Sequence, residues 1–167
     1  MNKYHFQEGI INVPENMGDG TVNLIVPLSG NSGLTIAITR DARVGAENLI
    51  EFIERQMKDL SRQVPKFTQG KLESAVLGQG QAAYRGYKFD VSYRQNARTV
   101  YHVQSIFGDE ATPKTMGFSF SSHVPITDEQ RSLIVQILDS YVPHRSWKLI
   151  RGKKWEDFQQ REWTMSL

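Results

Sequence analysis

At 167 residues and 19.1 kDa the chain has the size of a single domain. With 39% hydrophobic and 23% charged residues it can bury a core, which excludes wholesale disorder. Its 20 Lys and Arg against 18 Asp and Glu leave a net charge of +2, and the lack of cysteine excludes disulfides, thiolate metal sites and thiol catalysis.

Residues 4–13 read as a strand, stopped by Pro14 and the turn-rich Glu15-Asn16-Met17-Gly18-Asp19-Gly20. Residues 21–28 are β-branched and apolar, and Ser29-Gly30-Asn31-Ser32-Gly33 reads as a hairpin loop into a strand over 34–40. Helical period then takes over: Leu49, Ile50, Ile53, Met57, Leu60 and Val64 recur at three- and four-residue steps until Pro65. Further strands are expected at 67–77, 81–95, 98–108 and 115–122, with Asn96-Ala97 as a tight link between two of them. Thr127 and Gln130 make a capping box for a second helix, whose buried stripe is Leu133, Ile134, Ile137, Leu138 and Tyr141. Three strands, a helix, four strands and a helix predict an α+β domain over 1–143, an antiparallel sheet with two helices packed on it.

Residues 144–167 form a C-terminal tail with all three tryptophans, Trp147, Trp155 and Trp163, and six Lys or Arg against three acids. That leaves 14 basic and 15 acidic groups, a net of −1, for residues 1–143. A net charge near zero on that body argues against nucleic-acid binding, which would need a phosphate-neutralising face. Within the tail, Trp155, Phe158, Glu162 and Trp163 fall at helical steps. No apolar run reaches the roughly 20 residues of a membrane helix, and the N-terminus lacks the apolar stretch of a signal peptide, so the expected location is the cytoplasm without membrane insertion.

Little in the chain points to catalysis, a metal or a cofactor. His5, His102, His123 and His144 lie in separate segments without ligand spacing. Gly78-Gln79-Gly80 lacks the Gly-Lys-[Ser/Thr] ending of a phosphate loop and is followed by a strand, which reads as a tight connection. Ser122-His123 has no nucleophile elbow, and Asp109-Glu110 reads as a solvated turn. An enzyme would need a site assembled from scattered residues such as Asp90, Tyr101 and His102.

The informative pattern is one of small residues on strands. A period of two sets Thr35, Ala37 and Thr39 on one face and Leu34, Ile36 and Ile38 on the other. Gly117, Ser119 and Ser121 repeat the small face on a later strand, while Val22, Leu24 and Val26 supply an apolar strand beside them. One reading is a half-exposed sheet with short polar residues outside. The other is a groove for a partner helix, since small residues allow close backbone approach and hydroxyls can hydrogen-bond it. Gln56, on the less apolar side of the first helix, and Gln104 would serve polar groups of that partner.

The opening Tyr4-x-Phe6-x-Glu8-Gly9-x-x-x-Val13-Pro14, followed by Asp19-x-Thr21-Val22-Asn23-Leu24, resembles that of the Eag family, DcrB-related chaperones of type VI secretion effectors. Met17 departs from the aromatic that such openings carry. The resemblance, over roughly residues 1–142, implies a PsbP-like fold, a homodimer and no catalysis. It further implies a client: the N-terminal transmembrane region of a PAAR-containing effector toxin, often with Rhs repeats. The dimer would shield those helices in the cytoplasm until the effector is loaded on the secretion spike, which it would meet only through the effector. The partner-binding residues implied are Val22, Leu24, Val26, Thr35, Ala37, Thr39, Gln56, Gln104, Gly117, Ser119 and Ser121. A PsbP-like module for a folded partner is the alternative.

Overall fold

The computed structural model describes residues 1–6, 9–17, 20–28, 33–80, 83–108 and 111–143. The loop at 29–32, the Asp109-Glu110 pair and the whole tail 144–167 lie outside the described residues. In chain order the elements are β1 (Asn2–Phe6), β2 (Gly9–Val13), β3 (Asn23–Ile25), β4 (Thr35–Ala42), α1 (Leu49–Gln63), β5 (Thr68–Gln69), β6 (Glu73–Leu77), β7 (Tyr84–Gln95), β8 (Arg98–Gly108), β9 (Lys114–Ser122) and α2 (Asp128–Asp139). Seven strands form one antiparallel sheet in the order β3-β4-β9-β8-β7-β5, with β6 also paired to β7, and β1-β2 make a separate hairpin. The architecture is α+β, an antiparallel sheet with two helices.

Three expected strands come out differently, each for want of a continuous partner. The stretch 4–13 folds back on itself as β1 and β2, pairing its own backbone groups where no neighbouring strand supplies partners. In 21–28 only Asn23–Ile25 joins the ladder, against Ile36 to Ile38 of β4. The stretch 67–77 breaks into β5 and β6, both on β7, and Gly70 between them donates its N–H to the Asp90 carbonyl at 2.8 Å. The β7–β8 link behaves as expected: Asn96 and Ala97 both have positive φ, 48° and 61°, as a type I′ turn requires.

The helices sit on opposite faces of the sheet. On one face Phe118 and Phe120 of β9, Val103 and Phe107 of β8, and Leu77 of β6 pack beneath Ile134 and Leu138 of α2. On the other, Phe89 and Val91 of β7 and Ile106 of β8 pack beneath Phe52, Ile53 and Met57 of α1. Both helices start from capping boxes. In α2, Thr127 Oγ1 accepts from the Gln130 N–H, and Gln130 Oε1 from the Thr127 N–H. In α1 the sequence reading missed the equivalent pair, Asn48 and Glu51. The buried stripes are also shifted from those expected: Ile50 and Leu133 are exposed, while Phe52 is buried. Gly78, at φ +80°, donates its N–H to the Leu138 carbonyl, and a Cβ there would stand 2.8 Å from the Tyr141 carbonyl oxygen. The Gly78-Gln79-Gly80 turn is therefore where the end of α2 docks on the sheet.

Candidate functional site: a half-open sheet face

Helix α1 covers only part of its side of the sheet. Register pairs share a face, and Ser119 stands opposite both Ala37 and Gln104, Ser121 opposite Thr35 and His102, and Gly117 opposite Thr39 and Ile106. Leu24 of β3 stands opposite Ala37. Eight of the expected residues, Leu24, Thr35, Ala37, Thr39, Gln104, Gly117, Ser119 and Ser121, are thus brought onto one surface. It lies on the α1 side of the sheet, mostly on β4 and β9, which contribute no residue to the core beneath α1. Their side chains are half-buried or exposed, whereas Phe118 and Phe120, alternating with them along β9, are 6% and 0% exposed on the other face.

Gln56, the ninth, reaches this floor from α1. Its Nε2 donates to Asp41 Oδ2 of β4 at 2.7 Å, a bridge from helix to strand at the end of the floor where Asp41 pairs with Thr115. Val22 and Val26 flank β3 rather than belong to it. They are 55% and 53% exposed and Leu24 is 63% exposed, so the rim beside the floor is apolar and open to solvent.

The floor is internally hydrogen-bonded. Gln104 Nε2 donates to Ser119 Oγ at 3.0 Å, and His102 Nδ1 lies 3.1 Å from the same oxygen. Ser121 Oγ donates to the Thr35 carbonyl at 3.3 Å. At Gly117 a Cβ would come within 2.7 Å of Thr39 Oγ1, so glycine there makes room for the neighbouring threonine. His102 stacks on Tyr93 with ring centroids 5.1 Å apart, and its Nε2 is buried without a partner among the described residues. Burial, and to a lesser extent His123, holds its pKa below the ordinary histidine value. Sequence reasoning missed Asp41 and His102 as members of this surface. The signal was present, because Asp41 continues the Thr35-Ala37-Thr39 parity and His102 shares that of Gln104.

Other candidate chemistry does not converge. Asp90 and Tyr101 share the α2 face, opposite to His102, and the Asp90 carboxylate accepts two bonds from Arg131 at 2.9 and 3.0 Å. Among the described residues no group of three or more His, Asp or Glu gathers around a common point, and no helix is long and apolar enough to cross a membrane.

Among solved structures, the fold resembles a Pseudomonas aeruginosa protein of unknown function, PA94, described as a putative regulator. The TM-score is 0.62 at 16% identity, over 87% of this chain and 99% of that one. A second match is LpqN of Mycobacterium tuberculosis, involved in cell envelope biogenesis, with a TM-score of 0.44 at 14% identity over 76% of this chain and 84% of that one. Identities this low speak to fold alone. No curated protein matches the chain by sequence. The DcrB family model matches residues 8–140, which hold all seven strands of the sheet and both helices, and the chain belongs to the DcrB family.

Proposed function

We propose that the protein is a chaperone of the Eag type. It shields the N-terminal transmembrane helices of a PAAR-containing, Rhs-type type VI secretion effector in the cytoplasm and aids its loading on the spike. It works without catalysis, as a homodimer. The single observation that carries this reading is the half-open sheet face, floored by small residues and rimmed by apolar ones. Glycine and, to a lesser degree, alanine fit strands poorly, so their place beside serines on a solvent-facing surface favours close approach of another backbone over strand stability. Six residue steps from Thr35 to Asp41 give a floor about 20 Å long at about 3.3 Å per residue, matching about 13 residues of helix at 1.5 Å each. A span of roughly 20 apolar residues left in water would aggregate, and a surface of this kind offers the contacts that helices make with one another in a bilayer.

The test is co-expression with an effector fragment bearing its transmembrane helices. The fragment is expected to co-purify without detergent. The Leu24→Asp variant, altered at an exposed rim position, is expected to keep its circular dichroism and thermal midpoint while losing most of the client, because an unpaired carboxylate would have to be desolvated against it. A fragment that stays insoluble with the wild-type chain, or binds Leu24→Asp equally, overturns the reading.

A further inference from the structure

His102 stands where the cover of α1 gives way to the open floor. On one side it is paired with Val91 of β7, which is 2% exposed in the core beneath α1. On the other it is paired with Ser121 of the floor. Its ring stacks on Tyr93, and Nδ1 lies 3.1 Å from Ser119 Oγ, the oxygen that also accepts from Gln104. Nε2 is buried, and no hydrogen-bond partner meets it among the described residues.

That arrangement suits a neutral imidazole. Ser119 Oγ accepts from Gln104 and keeps its own proton to give to Nδ1. An imidazolium would need acceptors at both nitrogens, and the described surroundings supply none at Nε2. From α1, the buried residues packed on this side of the sheet are Phe52, Ile53 and Met57, all apolar. From β7 come Val91 and Tyr93, and burial pushes the Tyr93 hydroxyl up, so it stays uncharged at neutral and acid pH. From β9 come Ser119 and Ser121, and just past its end His123, whose positive charge opposes one on His102. The Asp41 carboxylate stands at the other end of the floor, where its residue pairs with Thr115.

We infer that His102 links client binding to protons: the half-open face holds its client while the ring is neutral and yields it in mild acid. The inference rests on the chaperone reading. An apolar helix laid on the floor would cover what the half-buried ring still exposes. A charged ring so covered would be desolvated without a partner. The loaded protomer therefore binds fewer protons than the free one, whose His102 already titrates below the ordinary value near 6.5. Affinity falls as pH drops through that titration, by at most about tenfold per pH unit for each His102.

The test is retention of the effector fragment by the immobilised full chain, without detergent, at pH 7.5 and pH 5. Circular dichroism at both values reports whether the chain stays folded. The wild type is expected to hold at least about threefold less fragment at pH 5. His102→Gln and His102→Phe cannot take up the proton. Each is expected to hold the same amount at both pH values, whatever that amount is, and either suffices if the other fails to fold. Equal retention by the wild type at the two pH values overturns the inference and leaves the chaperone reading standing. So does an equal loss in a folded His102 variant, which would trace the effect to other groups, or a loss that comes only with the dichroism signal. A fragment that is not held at pH 7.5 overturns both.

Discussion

Phe118 and Phe120 stand on one face of β9 and Gly117, Ser119 and Ser121 on the other, residue by residue along the same strand. The aromatic face meets Ile134 and Leu138 of α2 and excludes water; along β4 and β9 the small face contributes no residue to the core beneath α1 and meets that helix through the Gln56–Asp41 bridge at one end. Burial on the α2 side accounts for the large residues, because a strand there contributes to stability through the apolar area it hides. Nothing comparable accounts for the small ones. Larger β-branched residues would suit a half-exposed strand better, and the proposed client helix would account for their absence. Within the face, Gly117 makes room for Thr39, and Ser119 and Ser121 hydrogen-bond Gln104 and the Thr35 carbonyl.

The strongest challenge to this contrast is paired truncation on the two faces. Phe120→Ala removes a ring that is 0% exposed and is expected to cost about 3–5 kcal/mol. Ser119→Ala loses hydrogen bonds with Gln104 and His102 on the open face and is expected to cost about 1 kcal/mol. Denaturant titration of both variants gives the two values. Equal costs would mean that the two faces do not differ in what they contribute to stability.

Acid tests the open face differently. His102 is held neutral there by burial, so its folded pKa lies below the unfolded value near 6.5. As pH falls through about 6.5 the unfolded chain takes up a proton that the native chain resists, and stability therefore declines with acidification. Thermal melts between pH 8 and pH 5 are expected to show a drop that the His102→Gln variant lacks in part. A drop of the same size in both would remove His102 as its source.

The smallest expected effect sharpens the contrast from within the aromatic side. Ser105 is 0% exposed on the α2 face, cross-strand from Phe118, and its Oγ has no partner among the described residues. Ser105→Ala removes a polar group desolvated without return and is expected to be neutral or to stabilise by up to about 1 kcal/mol. Denaturation midpoints of the two proteins decide it. A clear loss of stability would show that the hydroxyl is satisfied after all.

The sequence by itself determined the elements whose cause is local. The α2 capping box lies in Thr127 and Gln130, the β7–β8 turn in Asn96 and Ala97, and the end of α1 in Pro65, since caps and turns depend on residues a few positions apart. Strand parity likewise placed Thr35, Ala37 and Thr39 on one face, because the side-chain period of two follows from the backbone. Tertiary structure decided what parity cannot carry, namely which strands become neighbours and where a helix stops covering them. The pairing of β4 with β9 joined two small-residue rows into one surface, and the Gln56–Asp41 bridge between residues 15 apart tied α1 to it. The same pairing rule split the stretches 4–13 and 67–77, since an extended sequence becomes a strand only where another backbone satisfies its hydrogen bonds. Local chemistry sets how a segment bends and which way its side chains alternate, but long-range backbone pairing sets which of those side chains meet.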